Sequence, residues 1–422
     1  MNIALNSANP IVAPLENVSK KIVLLSGFRI FPCNTGGHLR TSSIAYALAR
    51  MGHNVTIYSL AGRQEDYRLG TLFHPNYRVD HIASNLVEET HLGLSIGLAQ
   101  AIARRLDYPR FWLYGLLKRG LVPRRLKSAL RNAHIILSDL PWCPPVPGPW
   151  SDKPWFLISH NLEHRLLEQA GPGQQRFASL MREIEIDAPR RYRDIFVCAE
   201  EDREFYRSHD SSGKLKLPFI GCGVDPNAYR VPAGTRERVR AQLSLSEADN
   251  LLVFGASRFG PNVEAFARLE AFCRAEAEFL ARERVYILAL GSISETARRE
   301  GALIATGRVP EVAPYFAAAD AGLNPITRGS GANVKLFEYL AARLPVISTM
   351  FGVRGTPLKP ETDFLPYAPD QPRAAIDRFV HERTRQQWKG HADAVWARHH
   401  SSCDINELVK QAIGQRPEFC TP

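Results

Sequence analysis

The chain reads as an α/β protein of two doubly wound units, and three observations predict it. At 422 residues it is long enough to fill two separate hydrophobic cores. From Lys21, and again from Leu251, short apolar runs alternate with segments of helical spacing, the pattern of parallel strands joined by crossover helices. The stretch Ala321–Thr349, AGLNPITRGSGANVKLFEYLAARLPVIST, spells out one such unit completely as strand, glycine loop, helix and strand.

In the first half, residues 1–20 read as a flexible lead-in. Lys21–Gly27 (KIVLLSG) is a buried-strand run, Gly36-Gly37 opens a helix that continues to Gly52, and Asn54–Leu60 is the second strand. The glycine spacing is not G-x-G-x-x-G, so a dinucleotide fingerprint is not supported. Arg63–Thr90 is polar and reads as irregular. Strands resume at His134–Leu140 and Trp155–Ser159, with a rigid surface loop expected over the proline cluster Pro141–Pro154. Ser159-His160-Asn161-Leu162-Glu163 then lies at the C-terminal end of a parallel strand, where open α/β sheets place their sites. Read from the residues alone, His160 fits a helix entry or interdomain packing as well as a site, and Glu163 could orient the ring or cap the helix. Phe177–Arg193 is helical and Asp194–Ala199 is a strand. A hinge is expected at about residues 218–230, around PFIGCGVD.

The second half opens with the strand Leu251–Gly255 and a loop that carries Arg258. Val285–Gly291 is a further strand, and Ile304–Val309 with the helix Val312–Ala319 leads into Ala321. In Ala321–Thr349, a strand closed by Pro325 feeds Gly329-Ser330-Gly331 and then a helix from about Asn333. The first amides of a helix have no partner within it, and the macrodipole favours negative charge there, so this is an anion site on physical grounds. Lys335 in the first turn opposes the dipole unless it meets an anion. Glu338, three residues on, faces the same way. A cation for phosphate and a carboxylate for sugar hydroxyls suit a nucleotide-sugar pocket, while an i,i+3 salt bridge on a solvated face fits the spacing equally. Phe364–Ala368 reads as the last strand, Arg373–Ser401 as helical and Asp404–Gly414 as a terminal helix.

Charged residues make up 23% of the chain and hydrophobic ones 45%, an ordinary globular balance. Seven scattered cysteines with no C-x-x-C pair fit reduced thiols and a cytoplasmic address, and no zinc-type cluster appears. Neither a signal peptide nor an apolar run of transmembrane length is read. The net charge is +10, and residues 98–131 concentrate it, with nine Lys/Arg against one Asp around Tyr108, Phe111, Trp112 and Tyr114. That segment suits an anionic membrane surface, a nucleic-acid backbone or a plain solvated helix face. No nucleic-acid fold motif accompanies it, and no nucleic-acid partner is expected.

The Ala321–Thr349 stretch resembles the donor-site signature of the retaining glycosyltransferases called group 1 or family 4, which have the GT-B fold. There a strand is followed by G-S-G-x-x-x-K-x-x-E-x-x-A and then P-V-I-S-T. Gly329, Ser330, Gly331, Lys335, Glu338, Ala341 and Pro345 through Thr349 match in order. Many members carry two glutamates eight positions apart, and Ser330 stands in place of the first. Arg343 stands where a glycine is usual, which implies a different helix C-cap. The resemblance covers most of the second half and the first half more loosely.

The resemblance implies two Rossmann-like domains facing across a cleft, with a C-terminal helix crossing back to the first. Residues 21–220 would form the acceptor-side domain, 221–400 the nucleotide-sugar domain and 401–422 the returning segment. The implied activity moves a sugar from a UDP-, GDP- or dTDP-sugar to a glycan or lipid-linked acceptor with retention, in polysaccharide or glycolipid assembly. The donor is a co-substrate, and neither a further cofactor nor a metal is implied. His160, within H-N-x-E, and Lys335 and Glu338 would carry the chemistry. Gly36, Gly37, Arg258, Gly307, Arg308, Val309, Ser330, Gly331, Ala332, Asn333 and Val334 would bind the donor, with Arg258 and Lys335 sharing the diphosphate. The expected location is cytoplasmic, peripheral at the inner face of the membrane if residues 98–131 bind it. Two other readings compete: a nucleotide-sugar epimerase of the same fold, and a non-catalytic membrane-associated binding protein.

Overall fold

A computed structural model describes residues 19–28, 30, 36–61, 71–74, 77–85, 112–329, 333–414 and 416–420. The first sheet contains β1 (Lys21–Ser26), β2 (Asn54–Ala61), β3 (Thr71–His74), β4 (Tyr77–Asn85), β5 (Ile135–Ser138), β6 (Trp155–Ile158) and β7 (Asp194–Phe196). Their order is β3-β4-β2-β1-β5-β6-β7, parallel except for β3 against β4. β1 is central, with Ile22 opposite Val55 on one side and Ile135 on the other. Winding reverses between β1 and β5, so the crevice of this sheet lies outside their C-terminal ends.

The second sheet repeats the plan with β8 (Asn250–Gly255), β9 (Val285–Leu290), β10 (Arg298–Glu300), β11 (Leu303–Ala305), β12 (Ala321–Asn324), β13 (Val346–Ser348) and β14 (Leu365–Pro366). Its order is β10-β11-β9-β8-β12-β13-β14, with only β10 antiparallel. Its switch point lies at the ends of β8 and β12. The fold class read from the sequence is therefore the observed one, down to the two strands and the helix of Ala321–Thr349.

Five helices position the site: α1 (Gly36–Arg50), α2 (Gly260–Ala275), α3 (Val334–Ala341), α4 (Arg385–Cys403) and α5 (Ile405–Ile413). The chain passes between the sheets twice, at adjacent places. The segment Phe219–Val224 leads from the first sheet to the second, and Val224 pairs with Asp404 at the junction of α4 and α5. α5 then packs on α1, where Ile405, Val409 and Ile413 are buried among Ile44, Leu48 and Phe156 of the first domain. Burying each such side chain contributes roughly 1.5–3 kcal/mol, so α5 belongs energetically to the domain it returns to. The ion pair between Arg50 of α1 and Asp225 adds a polar tie at the crossing.

Two sequence expectations are corrected. Arg63–Thr90 is not wholly irregular, because it holds β3 and β4. On β4 Val79 and His81 are buried while Asp80 and Ile82 are half-buried, and His81 bonds the hydroxyl of Ser59 at 2.9 Å. A histidine at an inward position hid the alternation. The proline cluster is also not a surface loop. Trp142, Cys143, Val146 and Trp150 are buried in the first core, and the Trp150 indole donates to the Val146 carbonyl at 2.8 Å.

The lead-in 1–18 and residues 98–111 of the basic stretch lie outside the described residues. In the remainder, Lys118, Arg119, Arg124, Arg125 and Arg131 are exposed, while Leu126 and Leu130 anchor their helix in the core. Tyr114 is half-buried, its ring covered by Arg191 and Lys118. Among the described residues no helix is long and apolar enough to cross a membrane.

Candidate active site

α3 begins at the switch point of the second sheet, held there by its apolar face: Leu336, Phe337, Tyr339 and Leu340 are buried. Its N-cap is Asn333, a residue type that ordinarily accepts from the first helical amides. Here the side chain makes no such bond. Its Nδ2 donates to Asn324 Oδ1 at 2.9 Å, and Asn324 in turn donates to Ser348 Oγ at 3.0 Å. Among the described residues the amides at the start of α3 are thus left without a side-chain acceptor, the arrangement an incoming anion completes.

Lys335 is buried, with a relative exposure of 9%. Its ammonium donates to Asn262 Oδ1 at 2.8 Å and lies 4.8 Å from the centroid of Phe254. Among the described residues no carboxylate is within ion-pair distance of it. Burial pushes its proton affinity down to about 7; Glu338 opposes this, and Arg354 adds to it. Glu338 is also desolvated and is pushed up to about 7, against the Tyr229 hydroxyl, which donates to Oε1 at 3.0 Å, and against the charge of Lys335. The simple i,i+3 salt bridge is not formed. Instead a cation and a carboxylate share one helix face, each short of compensation.

Across the cleft, α1 starts against α3. A Cβ on Gly36 would lie 3.0 Å from Val334 Cγ2, so a bare backbone at this position permits the approach of the two helix starts. Gly37 beside it is exposed. At the end of β11, Gly307 is buried, Val309 is half-buried and Arg308 is exposed. Arg258 is exposed and ion-paired with Glu295 at 2.5 Å, and it makes no described contact with Lys335. Ser330, Gly331 and Ala332 lie outside the described residues.

On the first-domain side, His160 follows β6 and is held at both ring nitrogens. Nε2 lies 2.6 Å from Asp139 Oδ1, and Nδ1 lies 3.2 Å from an Arg40 nitrogen. A guanidinium only donates, so Nδ1 is the acceptor and Nε2 carries the proton given to Asp139, an assignment made from the partners. Asp139 also accepts from the hydroxyls of Thr41 at 2.6 Å and Ser26 at 2.7 Å. Arg40, 1% exposed, donates to the carbonyls of Ser159 at 3.0 Å and Ile220 at 2.7 Å, tying His160 to the interdomain linker. Glu163 does not cap the helix it begins. Glu185 accepts from its amide at 2.7 Å and takes that part. Burial, with Glu185, Asp202 and Asp139 nearby, holds the Glu163 carboxyl well above the usual range.

The sequence reading missed Asn262, Tyr229, Asp139 and Arg40, each far along the chain from the group it touches, and Arg354, which is held locally by Phe351. Asp139 alone had a local signal, since it stands at the C-terminal end of a parallel strand beside the switch point. The expected change of C-cap at Arg343 is corrected. Arg343 adopts the left-handed conformation (φ 58°), its amide bonds the Leu340 carbonyl at 3.1 Å, and the Leu344 amide bonds that of Tyr339 at 2.9 Å. This is the Schellman arrangement a glycine would make. Its strain is offset by the guanidinium lying 4.1 Å from the centroid of Trp396.

Residues 253–381 match the family model described as glycosyl transferases group 1. No curated protein sequence matches the chain. Among solved structures, sucrose-phosphate synthase from Thermosynechococcus elongatus is similar with a TM-score of 0.65 at 17% identity, over 94% of this chain and 98% of that one. HepE from Anabaena, in complex with UDP, gives 0.60 at 15% identity over 93% and 98%. A UDP-forming α,α-trehalose-phosphate synthase from Burkholderia xenovorans gives 0.62 at 14% identity over 96% and 100%. At such identities the likeness is one of fold.

Proposed function

We propose that this protein is a glycosyltransferase that moves a sugar from a nucleoside diphosphate donor to a glycan or lipid-linked acceptor, a reading supported by the match of residues 253–381 to the group 1 model and by the GT-B likeness. Retention of anomeric configuration, and a place in polysaccharide or glycolipid assembly, are part of the proposal. The observation that carries it is the buried ammonium of Lys335 beside helix amides that Asn333 does not cap, with no carboxylate within ion-pair distance among the described residues. Such a cation is stabilised by an anion that arrives, not by one already present.

In this reading the donor diphosphate lies over the glycine loop against the start of α3. As the bond from the sugar to the diphosphate breaks, charge grows on the leaving oxygen, and Lys335 with the amides of Gly331–Val334 meets it. Loss of a donor of this kind costs on the order of 3–4 kcal/mol of transition-state stabilisation. A diphosphate beside Lys335 also restores its proton affinity, so the ammonium is charged when needed. Arg258 joins it if its exposed pairing with Glu295 gives way. The Glu338 oxygen left free by Tyr229 holds ribose hydroxyls, and Gly307–Val309 lines the base. His160 serves the sugar or the acceptor, and a bond from Nδ1 requires the 3.2 Å Arg40 contact to open. Closure of α1 onto α3, eased by Gly36, excludes water. HepE has been solved with UDP-glucose, so uridine donors are the first to try. The exposed arginines of Arg124–Asn132 support peripheral contact with anionic lipid.

The test supplies UDP-, GDP- and dTDP-sugars with lipid-linked and free glycan acceptors, and follows both diphosphate release and the anomeric configuration of the product. Acceptor-dependent release with retention is expected. Donor hydrolysis that ignores every acceptor would count against transfer, and an inverted product would remove the retaining assignment.

A further inference from the structure

The turn after β13 brings a second cation to Gly329. The Gly352 amide donates to the Thr349 carbonyl at 3.0 Å and to its Oγ1 at 2.8 Å. A Cβ on Gly352 would lie 2.4 Å from Asn324 Nδ2 and 2.5 Å from Ser348 Oγ, so only glycine lets the chain press onto the strand ends here. The next residues return over the loop, and Arg354 is fixed there. Its guanidinium lies 3.9 Å from the centroid of Phe351, and Nη1 donates to the Phe351 carbonyl at 3.1 Å. Nη2 lies 3.5 Å from where a Cβ on Gly329 would stand, at the mouth of the loop.

Arg354 is half-buried, and among the described residues no carboxylate pairs with it and no acceptor meets Nη2. Burial holds its guanidinium below the ordinary range against the attraction of the Glu201 carboxylate, which is not within ion-pair distance, and its charge opposes that of Lys335. Two cations that repel one another thus lie near Gly329 and the start of α3. An anion between them would turn that repulsion into attraction. Phe351 holds the guanidinium plane in advance, so little side-chain freedom is lost when the anion binds.

We propose that Arg354 is an anion-binding residue of the donor site, contacting the diphosphate together with Lys335. The inference rests on the donor-site reading above and adds a residue to it. One cation and a helix start suffice for a single phosphate. Two fixed cations fit a diphosphate, so Arg354 distinguishes nucleoside diphosphates from monophosphates.

The experiment titrates UDP, GDP, dTDP and ADP, and the monophosphate matching whichever binds, against the full chain by calorimetry. Wild type, Arg354→Gln and the exposed control Arg373→Ala are compared. Arg354→Gln should weaken the diphosphate by about 10- to 100-fold, the range for a hydrogen bond to a charged group, and the monophosphate by less than about 3-fold. Arg373→Ala should change neither. If Arg354 merely braces the turn, both nucleotides weaken alike or neither does, and the proposal is overturned. If wild type binds none of the four diphosphates, the donor-site reading fails first and takes this inference with it. Should Arg354→Gln not fold, Arg354→Met keeps the stem on Phe351 and must give the same diphosphate-selective loss.

Discussion

Replacing Lys335 with methionine should make the protein more stable and inactive at the same time. The ammonium is 9% exposed and gives up its proton near pH 7 instead of at the usual 10.5. At about 1.4 kcal/mol per pH unit, holding it charged in the fold below pH 7 costs about 5 kcal/mol. Methionine keeps an apolar stem on Phe254 but leaves Asn262 Oδ1 unpaired, which costs about 1–3 kcal/mol. The net gain is about 2–4 kcal/mol below pH 7, or a rise in Tm of about 4–16 °C at about 2–4 °C per kcal/mol for a domain of this size. The sign of the pH dependence follows from the lowered proton affinity. The penalty on wild type is complete below pH 7, where Lys335 is charged in both states, and fades between 7 and 10.5 as the folded lysine becomes neutral first. Near pH 9 the remaining penalty is about 2 kcal/mol, and the advantage of Lys335→Met should nearly vanish. Thermal unfolding of both proteins at pH 6 and pH 9, beside turnover at pH 7, reads all three quantities. A variant less stable than wild type at pH 6, or one that keeps its turnover, would show Lys335 to be a packing residue.

Other changes probe the neighbouring parts. Gly36→Val places side-chain atoms where Val334 now lies. It should lower turnover at least about tenfold through impaired closure while circular dichroism stays unchanged; unaltered turnover would remove α1 from the site. Tyr229→Phe takes away a donor that favours ionised Glu338, so the acid limb of the kcat/KM profile should move to higher pH, and an unmoved limb would contradict the role given to Glu338. Replacing Arg124, Arg125, Lys127 and Arg131 with glutamine should abolish binding to anionic vesicles at low salt, at about 1 kcal/mol per charge. If wild type does not bind such vesicles, the membrane contact is wrong.

The sequence carried the fold because parallel strands buried on both faces are nearly continuous apolar runs. The runs read at Lys21–Gly27, Leu251–Gly255 and Val285–Gly291 are strands at Lys21–Ser26, Asn250–Gly255 and Val285–Leu290. It failed where a polar residue occupies an inward position, as His81 does on β4, and where aromatic residues among prolines are buried, as Trp142 and Trp150 are. The helix start at Val334 with Lys335 and Glu338 was legible because one turn of spacing is local information. Which groups answer them was not. Asn262 and Tyr229 reach α3 from 73 and 109 residues away, and Arg40 reaches His160 across 120. Arg354 was not legible, because its direction depends on Gly352 pressing against Asn324 and Ser348, a contact between strands that pattern alone does not contain.

The central claim is that α3 and its glycine loop bind a nucleoside diphosphate, and calorimetry with UDP, GDP, dTDP and ADP on wild type and Glu338→Ala tests it most directly. One nucleotide should bind wild type, and Glu338→Ala should lose about tenfold or more of that affinity, because ribose hydroxyls lose a charged acceptor. If no nucleotide binds, or if Glu338→Ala binds as tightly as wild type, Lys335 and Glu338 are residues of a packed helix and the site lies elsewhere.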